Sequence, residues 1–130
     1  MGRATDILTQ LPESLADAAI VNQPDGCDHV AWRRAHVLEV LRHLASSDVA
    51  VLGGDVLLRD TRGFRHTYDN WSCDHQVGEG WSDYAVRSRH EAEGYVVRYP
   101  EGGDVAYVLV FREKPSARDL LLTQGIDAGA

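Results

Sequence analysis

Val49-Ala50-Val51-Leu52-Gly53-Gly54-Asp55-Val56-Leu57-Leu58-Arg59 is an extended apolar pattern interrupted once, by two glycines. Short apolar runs suit buried strands. Two glycines inside a strand path mark a bulge or a close backbone approach. Asp60-Thr61-Arg62-Gly63 then reads as a hairpin turn. From Phe64 to Trp71 the chain alternates. Phe64, His66, Tyr68 and Asn70 share one face, and Arg65, Thr67, Asp69 and Trp71 the other. The stretch is a pair of antiparallel strands with one polar side.

Downstream, Ser72 to Gly80 is a polar loop with two glycines. Ser82 can cap a helix running to about Tyr99, with Tyr84, Ala85, Ser88, Ala92, Tyr95, Val96 and Tyr99 as its packing stripe. Arg87, Arg89, His90, Glu91 and Glu93 are left facing water. Gly94 weakens such a helix by roughly 1 kcal/mol relative to Ala, and so reads as a point of close helix–sheet packing. Pro100 ends it, and Glu101 to Asp104 is a turn. Val105 to Phe111 is apolar at every position, the mark of a central strand buried on both faces.

Upstream, Asp28 can cap a helix running to about Ser46, with a stripe of Val30, Val37, Leu38, Leu41, Leu44 and Ala45. Asn22 to Gly26 is a loop. Before it, Ile7, Leu8, Leu11, Leu15, Ala16, Ala19 and Ile20 recur at helical spacing, and Pro12 fits a first helical turn. Residues 117–130 hold one helical turn around Asp119 to Leu122, then a small-residue tail expected to be mobile. The order α, α, β, β, α, β predicts an α+β fold: one domain over 1–130, with helices on one face of a small, mostly antiparallel sheet.

With 130 residues the chain can bury about two thirds of its unfolded surface, enough for a real core. Its 44% hydrophobic and 25% charged residues are globular, not disordered. No apolar run approaches the ~20 residues of a membrane helix, and the first residues lack a signal-peptide core. The chain reads as cytoplasmic, with no membrane partner. Thirteen basic against 20 acidic residues leave −7, which opposes a nucleic-acid partner and favours a basic protein one. Solubility alone also accounts for that charge. Cys27 and Cys73 are too few for a disulfide framework.

Gly53-Gly54-Asp55 suggests the signature loop of a diguanylate cyclase. However, Val56-Leu57 follows, and neither a phosphate-gripping loop nor a metal-binding carboxylate cluster accompanies it. The glycines are therefore structural, and Asp55 is a candidate for loop support or contact. Tyr68-Asp69-Asn70-Trp71 combines aromatic area with polar tips, the chemistry of interface anchors. Trp81 and Tyr84 lie just beyond the loop and can join the same patch. The cluster either meets a partner or fills the core under the loop. His66, Asp69, Cys73, Asp74 and His75 match no zinc spacing, so no metal or other cofactor is expected. Cys73, His75 and Asp69 can be drawn as thiol, base and orienter. That leaves a small enzyme, or a ligand-binding domain using this loop, as the alternative function.

The run Val51 to Val56, followed by Tyr68-Asp69-Asn70-Trp71, resembles the bacterial immunity protein 40 family. The helix with Ala92, Tyr95, Val96 and Tyr99, the final apolar strand, the segment Leu15 to Asn22 and Val40-Leu41 with Leu44 add to the likeness, which spans about 11–111. Leu57 and Ser72 depart from it, standing where the family favours aromatics. The resemblance implies a non-enzymatic antitoxin, encoded beside a polymorphic toxin, that binds this cognate toxin without a cofactor. Tyr68, Asp69, Asn70, Trp71, Trp81, Tyr84 and Asp55 are then the contact candidates, with Gly53 and Gly54 as structural support.

Overall fold

The computed structural model describes residues 4–20 and 30–115. A 3-10 helix, Ala4–Gln10, leads into α1, Glu13–Ala18. Next come β1, Val30–Trp32, and α2, Arg34–His43. The hairpin strands are β2, Ala50–Asp60, and β3, Gly63–Ser72. Then follow α3, Trp81–Arg98, and β4, Val105–Arg112. The strands form one antiparallel sheet in the order β1-β4-β2-β3. The α+β architecture read from the sequence is therefore present, and β4 is the central strand its apolar run predicts.

The segment from Val30 to Trp32 departs from the expected helix. It forms β1, all three residues buried, paired with Leu109 to Tyr107 of β4. Trp32 is fully buried, and its Nε1 donates to the Leu15 carbonyl at 2.8 Å, tying α1 to the sheet. A three-residue strand has no room for a visible alternation, so its pattern merges with the helix that follows. The helix begins at Arg34, and its buried face is Val37, Val40 and Leu41, continued by Leu44. Leu38 is half-buried and Ala45 exposed, because the buried face centres on Val37, Val40, Leu41 and Leu44 and these two lie at its margin. Asp28, the Asn22 to Gly26 loop and the tail at 117–130 lie outside the described residues.

Helices α1, α2 and α3 pack against one face of the sheet through Leu15, Val37, Leu41, Ala92 and Val96, among others. Trp32, Val51, Val56, Tyr107 and Leu109 meet them from the strands. Each fully buried aliphatic chain contributes roughly 1.5–3 kcal/mol. A smaller cluster on the opposite face contains Ala31, Leu57, Ala106 and Val108, with Ile20 and Phe64 against it.

Several positions of α3 differ from expectation, Arg87 with its Glu79 clamp among them. Arg89 is buried instead of facing water. It donates to the carbonyls of Val49 at 2.8 Å, Ser47 at 3.2 Å and Ala45 at 3.3 Å. A guanidinium is long and rich in donors, so it can satisfy the carbonyls beyond the end of α2 from another helix. Gly94 does not touch the sheet, because the space above it holds the Arg98 guanidinium. Gly80 precedes the first turn as cap, and Ser82 instead donates from Oγ to Asp48 at 3.1 Å.

Candidate functional site

The glycine pair and the aromatic run, separated in sequence by the hairpin turn, form one unit. Gly54 of β2 faces Trp71 of β3 across the hairpin. A Cβ on Gly54 would stand 2.1 Å from the Val108 carbonyl oxygen and 2.3 Å from the Trp71 ring. At Gly53, φ is +156°, and a Cβ would stand 2.2 Å from the Trp71 carbonyl oxygen. Both positions therefore demand glycine. They form a notch over which the indole lies, and its outer side stacks on Tyr95 of α3 at 4.6 Å. Trp71 is half-buried and joins the main core from its edge. Its Nε1 is buried with no hydrogen-bond partner among the described residues. Asp55 is half-exposed and pairs with Asn70 across the same hairpin.

Tyr68 occupies the opposite environment. The pairing Asp55 to Asn70 passes to Leu57 with His66, so two steps of β2 oppose four of β3. The difference is even, and the alternation of Phe64, His66 and Asn70 on one face resumes in phase beyond it. At the bulge Tyr68 has φ +70°, and its side chain is 86% exposed. A tyrosine in the left-handed region is strained and persists only where its surroundings impose it. Those surroundings are specific. Thr67 Oγ1 donates to the Val56 carbonyl at 3.0 Å and accepts from Asp69 N at 3.1 Å. Asn70 Nδ2 donates to the Tyr68 carbonyl at 3.1 Å. Tyr99 OH donates to Asp69 Oδ2 at 2.6 Å, anchoring the bulge to the end of α3. That hydrogen bond, more than burial, raises the Tyr99 phenol above the usual tyrosine range.

The loop after β3 is fastened at its base. Arg87 of α3 donates to Glu79 Oε2 and Oε1, both at 2.8 Å, to the Asp74 carbonyl at 2.7 Å and to Cys73 Sγ at 3.1 Å. The guanidinium holds the Glu79 carboxyl down at about 2. Tyr84 is fully buried, and its OH donates to the Cys73 carbonyl at 2.6 Å. The His75 ring stacks on Tyr84 at 4.9 Å and meets Trp81 edge-on at 5.4 Å. Trp81 is half-buried, with Nε1 donating to the Asp48 carbonyl at 2.6 Å. Tyr84 thus lies in the core, while Tyr68, Asp69 and Asn70 are exposed.

The thiol alternative meets an unfavourable geometry. Burial pushes the Cys73 thiol up, where an activated nucleophile needs the opposite shift. The His75 ring nitrogen contacts the Glu79 carbonyl at 2.6 Å, and Asp69 is engaged by Tyr99. Among the described residues, no group of three or more His, Cys, Asp and Glu side chains is placed to hold a metal. An open groove of about 440 Å³ lies elsewhere, between α2 and α3, lined by Leu38, Leu41, Val86 and His90 among others. No described helix is long and apolar enough to cross a membrane.

Sequence reasoning did not single out Tyr99, Arg87 or Val77 as shaping this region. Arg87 and Glu79 are eight positions apart across a loop–helix boundary, a spacing that carries no pattern of its own. The fold is that of a small antiparallel α+β domain presenting an ordered, irregular sheet edge. Residues 22–111 match the family model described as Immunity protein 40, and the chain belongs to that family of immunity proteins. No curated protein and no solved structure matches it. The matched span takes in the glycine notch, the Tyr68 to Trp71 run, and β4 as far as Phe111.

Proposed function

We propose that this immunity protein neutralises a cognate toxin, encoded beside it, by direct contact in the cytoplasm, with no catalysis of its own. The contact centres on Tyr68, with Asp55, Asp69 and Asn70 around it and Trp81 at the far end of the following loop. Trp71 and Tyr84 hold this surface from behind. The observation that carries the reading is the tyrosine held at φ +70° with its side chain 86% exposed, by a network that fixes its backbone and leaves the ring in water. Strain kept in place around an exposed aromatic side chain is a feature of binding sites. The charge of −7 would speed encounter with a basic toxin.

Co-expression with the toxin encoded by the adjacent gene tests the reading. Rescue of growth, with the two proteins co-purifying in a fixed ratio, is the expected result. Rescue without a complex would replace neutralisation by contact with enzymatic repair.

A further inference from the structure

We propose that the toxin-binding surface extends from Tyr68 along the outer edge of β3 to the tip of the next loop, where Val77 is a second anchor that enters an apolar recess on a basic face of the toxin. The inference rests on the contact reading above and adds a residue, a direction and a partner chemistry to it. Val77 is fully exposed, the most exposed of the large hydrophobic side chains among the described residues. It does not sit on a loose loop. Gly78, at φ +81°, turns the chain, and Gln76 and Glu79 close the turn through Glu79 N donating to the Gln76 carbonyl at 3.1 Å. Gln76 N in turn donates to Glu79 Oε1 at 3.1 Å. Arg87 then clamps Glu79 from α3.

An apolar side chain presented to water on a clamped turn has its ordering cost met before binding, which is the condition for a strong anchor. The charges along this edge indicate the partner. Among the described residues, the carboxylates of Asp69 and Asp74 have no lysine or arginine ion pair, whereas Asp60, Glu79 and Asp104 each have one. The basic groups nearby are His66, His75, the clamped Arg87, Arg65 held by Asp60, and Arg112 held over the Trp81 ring at 5.4 Å. Two unpaired carboxylates beside two exposed anchors, in a chain of net charge −7, complement a basic surface.

The test measures affinity for the purified toxin encoded by the adjacent gene. Val77→Ser is compared with Val86→Ser, a similar change on the outer face of α3, and amide exchange is followed over 73–80. Val77→Ser should weaken binding by about tenfold or more with the melting temperature unchanged, and Val86→Ser should bind as the parent does. The exchange of 73–80 should slow in the complex. Parent-like binding by Val77→Ser, or no protection of the loop in a formed complex, overturns this inference and leaves the contact reading standing. Absence of any complex with the parent protein overturns the contact reading itself.

Discussion

The indole of Trp71 lies over Gly54, its partner across the β2–β3 hairpin, with ring atoms where a side chain at 54 would begin. Gly54→Ala forces its methyl group against the Val108 carbonyl, which belongs to the central strand and cannot retreat. A loss of about 2–4 kcal/mol in denaturant unfolding is expected. Gly102→Ala, in open space, should change stability by less than about 0.5 kcal/mol. Equal effects would mean that the notch is not a packing constraint.

Tyr68 should behave as a residue whose function opposes stability. Asn tolerates the left-handed conformation better than Tyr, and the exposed ring gives little packing to lose. Tyr68→Asn is therefore expected to match or exceed the parent's stability by up to about 1 kcal/mol. The same variant should bind the toxin at least about tenfold more weakly. Retained affinity would remove Tyr68 from the contact surface.

The Asp69–Tyr99 hydrogen bond holds the bulge to α3. Tyr99→Phe should lower stability by about 1 kcal/mol and raise amide exchange at Tyr68 and Asp69. Unchanged exchange would show that Thr67 and Asn70 hold the bulge without it.

Tyr84, Tyr95, Tyr99 and Tyr107 are all raised above the ordinary value of 10, three of them by burial first and Tyr99 by its hydrogen bond to Asp69. Each folded-state pKa exceeds the unfolded one, so the neutral phenol favours folding. The stabilisation is complete below pH 10 and is lost as pH rises through the folded values. Alkaline unfolding should begin above about pH 10, and in Tyr68→Asn, which leaves only these four tyrosines, tyrosinate absorbance should appear together with loss of structure. Ionisation of these four well before unfolding would contradict the shifts.

Glu79 has the opposite sign. Its folded value of about 2 lies below the ordinary 4.5. The clamp with Arg87 therefore helps the fold above pH 4.5 and fades as pH falls toward 2. The Gln76 amide, which donates to Glu79, should lose protection relative to its intrinsic exchange rate across that interval. Glu79→Gln should abolish this dependence, and a persistent one would place its origin elsewhere.

The sequence by itself determined the hairpin, the central strand and the long helix α3, because each is written in local periodicity. It also marked Gly53-Gly54 and the Tyr68 to Trp71 run, whose Gly54 and Trp71 the fold sets opposite each other across the hairpin, and the likeness to the immunity protein 40 family holds over 22–111. Local pattern could not reveal β1. Val30 to Trp32 is a strand only because β4 offers it a register and Leu15 accepts the Trp32 N–H. Nor could it sort the aromatic residues into core and surface. Tyr84 and Tyr68 are the same residue type in similarly polar stretches. One is buried because Cys73 and His75 close around it, the other exposed because a bulge turns it outward. Arg87 and Arg89, both read as facing water, acquire their roles from groups that meet them only in the folded chain. Periodicity specifies which face of an element is apolar, and only the tertiary structure decides which polar side chains find partners across it.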